Sequence, residues 1–223
     1  MERHAGLLSA SLATVAVVMS GCGAVGVPAS APTGASPGSA VSDPSPPPTS
    51  PPSSGMPADG EVLAQATVLQ HGDELPQLCL GAIGESYPPH CGGPVDLLNW
   101  DWAEVEQSQT ASGVTWGEYA VQGTWDGAVF TRTQEPIPLS LYDPIADFDP
   151  RLDPANHGSS ADATLEGIER DFRASDEPVI HLSITNGYLV VGVNYDDGTL
   201  QQRYDSEYGP DTVIVQSALR PAP

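Results

Sequence analysis

A proline- and serine-rich stretch, residues 23 to 57, sets the limits within which this chain can fold. Asp43 is its single charge, and Pro46-Pro47-Pro48 and Pro51-Pro52 favour polyproline II geometry. So little apolar surface cannot offset the entropy of ordering, so a disordered linker is expected, reaching on the order of 100 Å at about 3.1 Å per residue. A packed core is thereby confined to residues 58 to 223, which is enough chain for one domain or two small ones. Ahead of the linker, Ala5 to Val18 is an apolar run that ends in Met19-Ser20-Gly21-Cys22. It falls short of the roughly 20 apolar residues a permanent span needs. Apolar middle followed by small residues is the layout of an export signal, although Glu2 offsets Arg3 at its start.

Met19-Ser20-Gly21-Cys22 resembles the lipobox of bacterial lipoproteins. The resemblance implies that residues 1–22 are a signal peptide ending at the acylated residue. Cys22 would then carry a diacylglycerol thioether and become the new N-terminus, because sulfur is the nucleophile that accepts the lipid. The chain would be held by lipid on the outer face of the cytoplasmic membrane, facing the cell wall. Ordinary cleavage near Ala24 and a retained N-terminal membrane helix are the alternatives.

With Cys22 acylated, Cys79 and Cys91 remain, and an exported chain favours pairing them as a disulfide. Closing the eleven residues between them is worth roughly 3 kcal/mol in the chain-entropy picture. A metal site of His71, Cys79, His90 and Cys91 is the competing reading, but its spacing matches no zinc finger or ribbon.

Charge is one-sided: 7 basic residues against 29 acidic, a net charge of −22. All the basic residues are Arg. Without Lys there is no Schiff-base chemistry, no phosphate-loop lysine and no Ser-x-x-Lys acylation. The acid excess excludes nucleic acid as a partner and disfavours docking on anionic lipid heads, so membrane contact falls to the lipid anchor. Solubility is the simplest use of such a surface.

Residues 58–138 predict a small antiparallel β domain. Val62 to Gln70 and Gln77 to Ile83 are the first strands, and Tyr87-Pro88-Pro89-His90 is a turn. Val114 to Thr124 and Ala128 to Thr133 flank Trp125-Asp126-Gly127, a hairpin signal. A five-stranded barrel of the OB type is expected. The segments Pro76-Gln77-Leu78-Cys79-Leu80-Gly81, Ser86-Tyr87-Pro88-Pro89 with Cys91, Trp100-Asp101-Trp102 and Thr115-Trp116-Gly117-Glu118-Tyr119 resemble a family of exported actinobacterial proteins with no assigned activity. That resemblance implies an envelope location.

Residues 139–158 read as an acidic connector with Asp143-Pro144, Asp149-Pro150 and Asp153-Pro154. Residues 159–223 read as an α+β unit in which a helix packs on an antiparallel sheet. The helix runs to about Ala174 with Leu165, Ile168 and Phe172 on one face. Strands are expected at Val179–Thr185, Tyr188–Tyr195, Thr199–Arg203 and Thr212–Ala218, with tight turns at Asn186-Gly187 and Asp197-Gly198. The tail from Arg220 to Pro223 is expected to fray.

Three sets of residues are candidates for function. Asp143, Asp147, Asp149 and Asp153 supply the oxygen ligands calcium needs, without the alternating pattern of an EF-hand. Trp100, Trp102, Trp116 and Trp125, with Tyr87 and Tyr119, could make an aromatic platform for a wall glycan beside Asp101, Glu118 and Asp126; equally, they could be barrel core. Glu118 and Asp126 are also a conceivable carboxylate pair for glycosidic cleavage. His157 and His181 are isolated, and no hydrolase, zincin or dinucleotide motif is present. The expected function is a non-catalytic binding or structural module of the envelope, with a cell-wall polymer or envelope protein as partner. A glycan binder and a carboxylate-dependent wall hydrolase are the alternatives.

Overall fold

The computed structural model describes residues 55–143 and 149–223. The export run, Cys22, the linker up to residue 54 and Asp147 lie outside the described residues. The described residues all belong to one compact unit.

The first half builds a closed barrel. Its strands are β1 (Glu61–His71), β2 (Gln77–Cys79), β3 (Pro94–Leu98), β5 (Val114–Trp125) and β6 (Val129–Arg132); the short β4 (Gln109–Ala111) and β7 (Ile137–Pro138) flank β5. Hydrogen bonding runs β1–β2–β3–β6–β5 and back to β1. Four of these pairings are antiparallel and β3–β6 is parallel, which is the closure of the expected OB-type barrel. Two long apolar strands make this possible. In register with each other over all eleven residues of β1, they turn Val62, Ala64 and Val68 of β1 and Tyr119, Val121 and Trp125 of β5 inward. Leu78, Val95, Leu97 and Phe130 complete the core. The β5–β6 turn is the expected Asp126-Gly127: Gly127 sits at φ +100°, and the Asp126 carboxylate accepts from the N–H groups of Ala128 and Val129.

Cys79 and Cys91 are joined by a disulfide, with Cα atoms 5.2 Å apart. It sits on the outer face of the barrel in a second small core with Leu69, Val114 and Trp116. β2 is shorter than the 77–83 expected, because past Cys79 the chain bonds to the Gly92-Gly93 turn instead. β3 was not anticipated, although Val95 and Leu97 alternate inward as a strand requires.

The second half is a helix and a sheet, as expected, with one change of topology. α1 (Asp162–Ala174) buries Leu165, Ile168 and Phe172. β8 (Val179–Thr185) and β9 (Tyr188–Val193) form an antiparallel hairpin through Asn186-Gly187, both at positive φ. The strand expected at 199–203 is instead helix α2 (Thr199–Tyr208), and β10 (Val213–Ser217) returns parallel to β9. Two causes favour helix here. Asp196 accepts from the N–H groups of Leu200 and Gln201, and Asp197 accepts from Thr199, so the turn dipeptide opens a helix. Leu200, Tyr204 and Tyr208 then recur at fourfold spacing against Phe172 and its neighbours.

The tail does not fray. β11 (Arg220–Pro221) pairs with β1, Ala222 donates to the Glu61 carbonyl, and Leu219 is fully buried in the barrel core. No helix among the described residues is long and apolar enough to cross a membrane.

Candidate ligand cleft

β1 pairs with β5 along one flank for its whole length. Along the other flank it pairs with β11 at Val62–Leu63 and with β2 at Thr67–Leu69. The stretch 64–66 lies between these two partners, and a cleft of about 330 Å³ opens there. Leu63, Gln65 and Thr67 form its floor. One wall is Leu80, Gly81 and Ile83, from the loop that the disulfide closes. Glu118 and Leu139 form another, and Ser217, Ala218 and Arg220 of the C-terminal segment form the third. A hollow of about 200 Å³ shares Leu80, Ser217, Ala218 and Arg220 with the cleft and extends it to Ile180, His181 and Gln216.

Each wall is fixed by a local device. The disulfide holds the loop against β2. The Leu139 N–H donates to the Glu118 carbonyl, which anchors the segment after β7. The Ser217 hydroxyl accepts from the Asp196 N–H at 2.6 Å and is directed at the Asp196 carbonyl. The His181 ring packs close against Gly192, where any side chain would collide with it. The result is a concave site that mixes apolar groups (Leu63, Leu80, Ile83, Leu139) with polar ones (Gln65, Thr67, Ser217) and charges of both signs, the mixture that suits a small ligand or a chain segment.

The aromatic residues do not converge on one platform. Trp125 is 2% exposed in the barrel core and donates to the Met56 carbonyl. Trp116 is 7% exposed beside the disulfide, and the exposed Tyr87 ring meets it edge-on at 5.3 Å. Burying these two rings serves packing. Trp100 and Trp102 stay half-buried, edge to face at 5.4 Å around Tyr119. The Arg132 guanidinium stands 5.9 Å from the Trp100 ring centroid and is paired with Glu104 at 2.7 Å.

The carboxylates are equally dispersed. Glu118 and Asp126 are eight positions apart along the β5 direction, on the order of 26 Å at about 3.3 Å per residue. The two carboxyl groups of a glycosidase stand roughly 5–10 Å apart, so this pair is not one. Asp126 is occupied by its turn, and those two backbone N–H groups hold its carboxyl below the ordinary value. Asp101 caps the short 3-10 turn at Trp102–Glu104.

In the connector, Asp149 grips Arg151 with both oxygens and caps the turn at Pro150–Leu152; the guanidinium hydrogen bonds hold its carboxyl below the usual range. Asp153 accepts from the Ala155 N–H, and Asp143 is exposed. The three described acids therefore do not assemble a calcium shell. Among the described residues no group of three or more His, Cys, Asp or Glu side chains is placed to hold a metal. Cys79 and Cys91 are bonded to each other, and His90 bonds Ser86, so the alternative metal site is not formed.

Of the cleft residues, sequence reasoning named Cys79, Glu118 and His181, each for another purpose. Gln65, Thr67, Ile83, Leu139, Ser217 and Arg220 carry no local signal, since they meet only through the barrel register and the return of the tail.

Comparison with protein-family models, with characterised proteins and with solved structures finds no match to this chain.

Proposed function

We propose that the chain is an extracytoplasmic lipoprotein, held through Cys22 on the outer face of the cytoplasmic membrane. Residues 23–54 act as a stalk that presents a non-catalytic binding module to the cell wall; the linker expected to run to residue 57 ends earlier, because the Gly55 N–H donates to the Gly127 carbonyl and the Met56 carbonyl accepts from Trp125, which dock residues 55–57 on the barrel. The observation that carries the binding reading is the cleft on β1, walled by three segments from distant parts of the chain, one of them closed by a disulfide. A disulfide in a chain this small accords with an oxidising exterior. The acid excess keeps the module soluble and away from anionic head groups.

Two measurements test the reading. In expressing bacteria, radiolabelled palmitate is expected on the wild-type chain, and Cys22→Ser is expected to lose the label and appear in the medium. An unlabelled wild-type chain overturns the anchor. Thermal unfolding of the full chain with solubilised wall fragments tests binding. A ligand present at 100 times its dissociation constant adds about 2.7 kcal/mol, and the shift is expected to vanish when Gln65→Trp fills the cleft.

A second reading is supported by Trp100 and Trp102, whose half-exposed rings beside Arg132 and Glu104 would suit a sugar. It expects Trp102→Ala, and not Gln65→Trp, to abolish the shift.

A further inference from the structure

The cleft on β1 presents main chain as well as side chains. In an antiparallel ladder, residues alternately direct both their N–H and C=O groups to one neighbour and then to the other. The Ala222 N–H donates to the Glu61 carbonyl on the β11 side, and the Gly72 N–H donates to the Gly113 carbonyl on the β5 side. Odd-numbered residues of β1 therefore face the β11 and β2 flank. Glu61 and Leu63 meet the tail, and Thr67 and Leu69 meet β2. Gln65 faces the same flank, and no strand among the described residues pairs with it there. Ala66 turns its side chain toward the barrel core yet also lines the cleft, so the cleft reaches the backbone.

We propose that this cleft takes a short extended peptide, bound main chain to main chain at Gln65. One peptide residue would supply the C=O for the Gln65 N–H and the N–H for the Gln65 C=O, as in strand addition to a sheet edge. Its side chains would lie against Leu63, Leu80 and Ile83. The proposal rests on the cleft being the binding site and adds the class of ligand.

The probe is the tripeptide Leu-Ala-Leu, added to the uniformly 15N-labelled full chain. Amide shifts are expected to centre on Gln65, Ala66 and Thr67. Methylating the central peptide nitrogen is expected to weaken binding roughly three- to tenfold, as loss of one hydrogen bond does. Gln65→Ala keeps the backbone groups and is expected to bind as wild type, whereas Gln65→Trp occupies the cleft and is expected to bind at least tenfold more weakly, with an otherwise unchanged amide spectrum. Tripeptide binding that ignores N-methylation, or is lost in Gln65→Ala, overturns recognition through main chain. No shifts with tripeptide but shifts of the same residues with solubilised wall fragments overturn the peptide class and leave the binding module standing. No shifts with either overturn both.

Discussion

Leu219→Ala is the sharpest test of how the two halves of this fold depend on each other. Leu219 lies four residues ahead of Pro223, immediately before the segment from Arg220 that is expected to fray. In the structure it is fully buried among Val62, Leu78, Tyr119 and Trp125. Truncating a buried leucine removes its transfer free energy and leaves a cavity, together about 2–5 kcal/mol. A fully packed site such as this one belongs near the middle, about 3 kcal/mol. For a folded unit of this size that lowers the unfolding midpoint by roughly 6–12 °C. All four tryptophans lie in the barrel half, so tryptophan fluorescence, excited selectively over tyrosine, reports the barrel alone, although the substitution is in the C-terminal segment. Urea unfolding followed by fluorescence and by far-ultraviolet circular dichroism is expected to shift by this amount in both signals, with coincident transitions. A loss below about 0.5 kcal/mol, the level of an ordinary surface change, would refute the tail as part of the barrel.

Replacing both Cys79 and Cys91 with Ala is expected to cost about 3 kcal/mol by urea unfolding, and equal stability with and without reductant would argue against any contribution. Gln201→Leu removes a side chain that donates to the Val213 carbonyl and accepts from the Val215 N–H, closing the free edge of β10 as a neighbouring strand would. It is expected to cost about 1–3 kcal/mol and to promote self-association through the exposed edge; a sedimentation profile and a stability both unchanged from the wild type would contradict this. Asp149→Asn tests the Arg151 pair. The folded carboxyl is held below its ordinary value, so its stabilisation is fully present above the unfolded pKa and is lost as pH falls through the folded one. With side chains 22% and 31% exposed, a difference of about 1 kcal/mol is expected at pH 6. It should shrink below about pH 4, and a difference that grows on acidification would reverse the sign of the effect.

Two dipeptides of the same chemical kind show how far local reading carries. Asn186-Gly187 closes a hairpin, as its sequence suggests. Asp197-Gly198 does not, because Asp196 and Asp197 both accept from the N–H groups that follow, and Leu200, Tyr204 and Tyr208 form an apolar stripe on one helix face. The fourfold spacing of Leu200, Tyr204 and Tyr208 is present in the sequence, but the strand expected there rests on the turn dipeptide alone. The candidate sites fared differently from the fold. The tryptophans close together along the chain do not form one exposed platform: Trp100 and Trp102 meet around Tyr119 and pack with Trp125 on the barrel core, while β5, whose neighbours alternate between its faces, places Trp116 outside.

The sequence by itself determined the elements whose signals are local: the long alternating strands β1 and β5, the Asp126-Gly127 turn, the amphipathic α1 and the cysteines that join. Apolar periodicity and turn chemistry act over a few residues and are written where they act. Only the tertiary structure decided that β3 runs parallel to β6 and closes the barrel, that the tail returns beside Glu61–Leu63, and that the flank at Gln65 faces a cleft. Those outcomes depend on which strand lies beside which, and in what register. That is settled by burying Leu219 and the barrel interior together, at sequence separations no local pattern spans.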